Sequence, residues 1–231
     1  MNKEEKISQL VKEGYDKISD HFSQTRYRPW SEFALFKQYI REGQKILDLG
    51  CGNGRWYQFL KEQGIRVDYY GLDISEKLLK IAKEKYPEVG AKFTAGEITS
   101  LPYPDNQFAA VICNATFHHL PTKSLRRRSL AEMHRVLKPG GNLLMTNWSL
   151  WHWPFLKYFF NQWQAKISWK DFFIPWKSPD GKTQCQRYYH AFSNRELKLL
   201  LRKSGFNINR SSIYKKRRGQ KGVNVVTIAT K

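Results

Sequence analysis

Residues 45 to 64, KILDLGCGNGRWYQFLKEQG, constrain the chain more than any other stretch. A short apolar run leads into three closely spaced glycines, and a helix-like run follows that closes at a fourth, Gly64. Glycine takes positive φ without strain and lets the backbone approach a ligand closely. A strand feeding through such a turn into a helix is therefore the local pattern of a nucleotide-type binding crossover. The alternation then repeats. VDYYGLD is followed by a helix from Ser75 to Tyr86, the strands AKFTAG and FAAVICN, a helix through LRRRSLAEMHRVL, and the strand NLLMTNW. Alternating strands and helices imply an α/β fold, a mostly parallel sheet with helices on both faces.

Around this centre, residues 3 to 23 read as an amphipathic helix with Ile7, Leu10, Val11, Tyr15 and Ile18 at helical spacing. A second helix begins at Ser31. Residues 1–42 thus form an N-terminal helical extension to a single domain spanning 1–231. Residues 151–189, rich in Trp and Lys, interrupt the alternation as an insertion, either a lid or an RNA-binding element. A helix capped at Ser193 or Asn194 and stopped at Gly205 follows, and FNINRSSIY and VNVVTIATK predict an antiparallel hairpin joined by the basic GQKG turn.

Charge is unevenly spread. Lys and Arg number 40 against 20 Asp and Glu, and residues 151 to 231 carry 17 basic and 3 acidic side chains. A polyanion is the partner class this implies, because aromatic rings interleaved with Lys suit unstacked bases; a hydrophobic lid or subunit interface is the other reading of the same rings. Cys51, Cys113 and Cys185 stand far apart without a CxxC pair, so no metal site and no disulfide framework is encoded. No apolar leader or membrane-length run is present, which predicts a soluble, cytoplasmic protein without membrane attachment.

Asp48 stands at the mouth of the glycine turn, and Asp73 ends the next strand about 20 residues on, where a carboxylate accepts both ribose hydroxyls. An adenosine-containing cofactor follows. No Lys-Ser or Lys-Thr succeeds the glycines, which excludes a nucleoside triphosphate loop. Asp48 would repel a pyrophosphate and pair with a cationic amino group, so a sulfonium amino acid fits better than a dinucleotide.

ILDLGCGNG, the GLD of residues 71 to 73, and GEITSLP followed by DNQFAAVIC resemble the class I S-adenosylmethionine-dependent methyltransferases. The resemblance implies a Rossmann-like, seven-stranded sheet with a reversed C-terminal hairpin. It places Asp48, Gly50, Cys51, Gly52, Asn53 and Gly54 around the methionine moiety, Asp73 and Ile74 at the ribose, and Glu97 and Ile98 at the adenine. Asn114 faces the same crevice. Ala109 departs from the family pattern, where a carboxylate is common.

Four further stretches, HFSQTRYRPW, HHLPTKSLRRR, DFFIPWK and QRYYHAFSNREL, resemble the tRNA wobble-uridine carboxymethyl methyltransferases. That likeness implies esterification of 5-carboxymethyluridine in tRNA, together with a small zinc-binding activator subunit. A carboxylate acceptor calls for Arg clamps, for which Arg26, Arg126 and Arg187 are candidates, and matching position in the family motifs adds His118, so the candidate catalytic residues are His118, Arg126 and Arg26. Trp30, Trp148, Trp176, Arg187, Tyr188, Tyr189 and His190 are the candidates around the base. Eukaryotic members usually carry a long polar insertion before RYYH, which is short here. Two other functions stay open: a small-molecule methyltransferase with a Trp-rich lid, and a non-catalytic RNA- or partner-binding module.

Overall fold

The computed structural model describes residues 2–150, 153–160, 162–215 and 223–231. Its strands are β1 (Lys45–Leu49), β2 (Asp68–Asp73), β3 (Phe93–Ala95), β4 (Phe108–Asn114), β5 (Leu137–Trp148), β6 (Asp171–Lys177), β7 (Thr183–His190), β8 (Asn207–Lys215) and β9 (Val223–Thr230). Seven of them form one sheet in the order β3-β2-β1-β4-β5-β9-β8. β1 to β5 pair in parallel, while β9 runs antiparallel between β5 and β8. The expected seven-stranded sheet and reversed hairpin are therefore present, with β8 at the edge. The basic GQKG turn and residues 151, 152 and 161 of the Trp- and Lys-rich insertion lie outside the described residues.

Side chains alternate across a strand, and this splits the core in two. Leu47, Val111 and Leu143 pack on one face against α5 (Lys123–Val136) and α7 (Asn194–Lys203) through Leu130, Met133, Leu197 and Leu201. Ile46, Ala110 and Leu144 pack on the other against α3 (Arg55–Glu62) and α4 (Glu76–Lys85) through Trp56, Phe59, Leu79 and Ala82. Each fully buried Leu or Phe contributes about 1.5–3 kcal/mol relative to exposure. The helices start where the chemistry predicts: Ser75, Thr122 and Ser193 each accept a backbone N–H of the first turn. At the last of these the cap is Ser193, not Asn194.

The second predicted helix is shorter than its periodicity suggests. Only Phe33–Phe36 is α-helical (α2), followed by a 3-10 turn at Lys37–Tyr39. Packing decides this, since Phe33 stacks on Trp56 at 4.2 Å and Phe36 lies over the same indole.

Residues 151–189 contain a short helix, α6 (Trp153–Leu156), and a separate two-stranded sheet of β6 and β7. On that sheet lies α1 (Lys3–Thr25), whose Ile7 and Val11 bury against Phe173 and Tyr188. A capping box of Asn2 and Glu5 starts α1. Further along, Asp16 on α1 accepts a 2.6 Å hydrogen bond from the Ser75 hydroxyl at the head of α4. So α1 bridges the small sheet and the main domain. Among the described residues no helix is long and apolar enough to cross a membrane.

Candidate active site

The carboxyl ends of β1, β2 and β4 open into a cavity of about 320 Å³, covered by α1 and walled by β7. Open parallel sheets place ligands at this position. The glycine turn forms its floor. Gly50 and Cys51 donate backbone N–H groups to the Leu72 carbonyl at 2.7 and 3.1 Å, holding the turn against β2. Gly50 has φ +72°, and a Cβ there would lie 2.0 Å from the Thr116 hydroxyl, so only glycine fits.

Asp73 sits at the rim of the turn. Its two oxygens accept the backbone N–H groups of Gly52 and Ser75, each at 2.8 Å. Burial nevertheless pushes its carboxyl up to about 6, against the pull of those bonds. Cys51, Gly52, Asn53, Ile74, Glu97, Ile98 and Asn114 line the same end of the cavity.

Asp48 departs from expectation, because it does not reach the cavity wall. It lies beneath the turn, 1% exposed, where Oδ2 accepts from the Tyr69 phenol at 2.6 Å and Oδ1 has no partner among the described residues. Burial raises its carboxyl to about 7, with the Tyr69 bond opposing and Asp73 adding to the rise. Gly54 also stands back from the wall, as the left-handed cap of α3 packed on Tyr86.

The opposite end is cationic and aromatic. The Arg187 guanidinium, 8% exposed, lies over the rings of Trp176, Tyr189 and Trp148 at 4.7, 5.4 and 5.9 Å. Arg26 covers Trp176 at 5.2 Å, and Arg55 covers Trp30 at 4.6 Å. Arg55, held at about 10 by burial and then by Arg26, and Arg26, lowered by burial and then by Arg187, share one positively charged wall.

Hydrogen bonds fix the tautomers of two adjacent histidines. His118 Nδ1 accepts the Trp148 backbone N–H at 3.2 Å, so its proton is on Nε2, which has no partner among the described residues. Burial drives its pKa well down, with His119 and Arg187 adding, and it is neutral. His119 Nδ1 donates to the Tyr188 carbonyl at 2.7 Å, and its Nε2 accepts from the Tyr15 hydroxyl at 3.0 Å. His119 is held at about 4, chiefly by burial.

Strand geometry sorts the remaining candidates. Along β7, side chains alternate, so Arg187 and Tyr189 face the cavity while Tyr188 and His190 face away. Tyr188 donates to Asp171 at 2.8 Å, and His190 sits between Asp171 and Glu196, each at 3.0 Å. Arg126, expected as a clamp, is also turned away: it donates to the carbonyls of Leu120 and Pro121 at 3.0 and 3.1 Å and stacks on Phe192. Its position on the inner face of α5 leaves it closing the end of the preceding loop. Trp176 supports the wall from behind, donating its indole N–H to His21 at 2.9 Å. Trp30, Trp148 and Tyr189 line the cavity directly, and Trp148 stacks on Tyr189 at 5.0 Å.

The wall also holds residues outside the sequence-based candidates, Arg55, His119 and Tyr15 among them. Arg55 directly follows the glycine turn, His119 neighbours His118, and Tyr15 was counted only as part of an apolar helix stripe. The first two were readable from adjacency. Among the described residues no group of three or more His, Cys, Asp or Glu is placed to hold a metal ion.

Residues 47–145 match the family described as a methyltransferase domain. A tRNA (carboxymethyluridine(34)-5-O)-methyltransferase of Arabidopsis thaliana is 38% identical over 58% of this chain, which spans only 31% of that protein. The protein of the same description from Schizosaccharomyces pombe is 29% identical, over 87% of this chain and 90% of its own length. A protein of Encephalitozoon cuniculi named as a methyltransferase is 33% identical, over 84% of this chain and 85% of its own. The crystal structure of a SAM-dependent methyltransferase from Methanosarcina mazei superposes with a TM-score of 0.71 at 27% identity, covering 85% of this chain and 96% of that one. With the sheet order, the glycine turn and the acidic floor already in place, these likenesses assign the chain to the class I S-adenosylmethionine-dependent methyltransferases.

Proposed function

We propose that this methyltransferase esterifies the carboxylate of 5-carboxymethyluridine at the wobble position of tRNA. One observation carries the reading: Nε2 of His118, Nε of Arg187 and the Tyr189 hydroxyl are buried in one cavity wall without partners among the described residues. Each such group left unmade costs about 1–3 kcal/mol. Two of the three are obligate donors and the third can donate, so the ligand that satisfies them is an acceptor. Arg187 and Arg26 beside them make that acceptor an anion, and a planar carboxylate matches a guanidinium fork.

The cofactor supplies an electrophilic methyl group on a sulfonium. The residues present suit it: a floor only glycine can form, a carboxylate at the strand end, and an unpaired carboxylate oxygen beneath. Asp73 would hold the ribose hydroxyls, Glu97 and Ile98 the adenine, and Asp48 would lend negative potential to the cationic methionine end. An acceptor carboxylate has a pKa of about 4 and is ionised at neutral pH. Transfer of the sulfonium methyl to its oxygen would leave the electron pair of the broken carbon–sulfur bond on sulfur and would need no proton transfer. His118, held neutral, therefore donates a hydrogen bond and is not needed as a base. The aromatic wall excludes water from the attacking oxygen and holds the uracil plane.

The names of the Arabidopsis and S. pombe relatives support tRNA as the substrate, and the chain's net charge of +20 suits a polyanion. The test is methyl transfer from labelled S-adenosylmethionine to tRNA from cells that accumulate carboxymethyluridine, run with and without a zinc-binding activator subunit. Nucleoside mass analysis should find a base-labile methyl ester on uridine, its yield at limiting tRNA cut by Arg187→Ala. Labelling of small carboxylic acids or quinols with tRNA unlabelled under both conditions would reassign the substrate.

A further inference from the structure

A ladder of aromatic rings leads out of the cavity to the surface. Tyr189 and Trp148 stack in the wall, Phe155 lies 6.1 Å beyond Trp148, and Phe155 and Phe159 pack on the same small core of β6 and β7. Phe159 contacts Phe160 at 5.1 Å and Trp163 at 5.9 Å. At this outer end the rings are open to solvent, Phe160 by 76% and Trp163 by 53%.

Two observations show that this end is a fixed surface beside the cavity. The Lys166 side chain, 8% exposed, is threaded beneath it, with Nζ 4.4 Å from the Phe159 ring and 4.9 Å from the Trp163 ring, donating to the Phe159 carbonyl. That buried cation holds the indole from its inner side and leaves the rest of the ring presented. Lys3, at the start of α1, donates to the Gln164 carbonyl at 2.9 Å, and its neighbours Glu4 and Glu5 line the cavity. The exposed rings therefore stand next to the cavity's edge.

We propose that Phe160 and Trp163 form a stacking platform for unpaired bases of the RNA that flank the base held in the cavity. This rests on the RNA substrate proposed above. A nucleotide drawn into a pocket leaves its neighbours unstacked, and aromatic rings restore that stacking regardless of base identity. Besides the buried Lys166, the stretch 151–170 that contains the platform holds Lys157 and Lys170 and no acidic residue, which suits a phosphate backbone running alongside. Because the Trp163 ring is already packed on Lys166 and Phe159, little ordering cost falls on its binding.

Both rings are solvent-exposed, so Phe160→Ala/Trp163→Ala should leave the fold intact, and an unchanged Kd for S-adenosylmethionine checks it. The experiment is fluorescence anisotropy of a labelled, unmodified anticodon stem–loop across a salt series. The double variant should bind about fivefold or more weakly, with the slope of log Kd against log salt unchanged, because no phosphate contact has been removed. Trp163→Phe should recover most of the affinity. Unchanged RNA affinity in the double variant overturns the platform and leaves a protein partner as the occupant of these rings. A reduced salt slope or a weakened cofactor affinity also overturns it, since the loss would then lie in phosphate contacts or folding. If the wild-type chain methylates tRNA while the double variant binds RNA normally, only the platform falls; if the wild type does not bind the stem–loop at all, the RNA substrate falls with it.

Discussion

The two ends of the cavity carry opposite charge and are built in opposite ways. Asp73 and Glu97, with Asp48 beneath them, belong to one run of consecutive strands and turns, in which backbone hydrogen bonds fix the glycine turn and Asp73. Arg26, His118 and Arg187 come from three distant segments, the two Arg held over the Trp176 ring and His118 by the Trp148 backbone N–H. The difference matches the proposed chemistry, in which a cation at one end meets an anion at the other and both products are neutral. Charge is lost, not created, in that transition state. An enzyme that gripped both charges too strongly would stabilise the ground state, so the basic wall should act chiefly in binding and orientation.

The sharpest way to break this division is at Asp73. Asp73→Ala removes the acceptor that would hold two hydroxyls and also frees the Gly52 and Ser75 N–H groups. Charge-assisted bonds contribute about 1.5–3 kcal/mol each, so cofactor affinity should fall on the order of 100-fold by calorimetry. RNA affinity should not change. If both fall together, the two ends are not separable.

Arg187→Ala is the complementary change, with a smaller effect confined to the other end. KM for the acceptor should rise about tenfold or more, kcat should change less, and cofactor affinity should hold. A loss wholly in kcat would mean that Arg187 acts mainly in the transition state and that the ground-state argument is wrong.

The ends should also titrate in opposite senses. Asp48 and Asp73 have their carboxyls raised to about 7 and about 6, from burial above all. Raised acids give stability that is full below their ordinary range near 4 and is lost as pH climbs through 6 to 7. His118 and His119 are lowered, the latter to about 4, so their contribution is full above about 6.5 and is lost as pH falls toward 4. In the cofactor-free protein, Asp48→Asn should raise Tm at pH 8 by a few degrees, leave it unchanged near pH 4, and weaken cofactor binding. Stabilisation equal at both pH values would show that the unpaired oxygen is not ionised.

The same contrast explains what the sequence could show. The glycine turn, Asp73, Glu97 and Ile98 were legible as one wall of the cavity because the acidic end is local: turn and strand ends are near neighbours in the chain. The mostly parallel sheet followed from alternation of strand and helix, and its seven strands with a reversed hairpin from the family resemblance; the order of the strands came with the structure. Candidates for the basic end were legible only as a set. RYYH contributes two residues to the cavity and two to the opposite face, and which pair faces in depends on β7 lying under α1, a contact with no local signature. Arg126 sits in the same motif-rich loop and helix as His118, but its place on α5 turns it to the Leu120 and Pro121 carbonyls. Asp48 was read at the turn's mouth; the alternation of β1 and the phenol of Tyr69 put it beneath.

Tyr15 ties the two ends together, and its removal should have the smallest effect. It lines the cavity from α1 and donates to His119 Nε2, while His119 Nδ1 donates to the Tyr188 carbonyl on β7. The relay thus runs from the cover to the strand that presents Arg187 and Tyr189. Tyr15→Phe keeps the ring and its edge contact with His119 at 5.4 Å but leaves Nε2 without that donor. Losing one neutral hydrogen bond in a half-buried setting costs about 1 kcal/mol, or about 2–4 °C in Tm for a chain of this size. The phenol favours the neutral imidazole, so His119 should protonate more readily in the variant, and its NMR titration should move upward from about 4. A structural loss alone would lower Tm without moving that titration. If the relay positions β7, KM for RNA should rise a fewfold while cofactor affinity stays constant; a matching loss of cofactor affinity would place α1 with the acidic end instead.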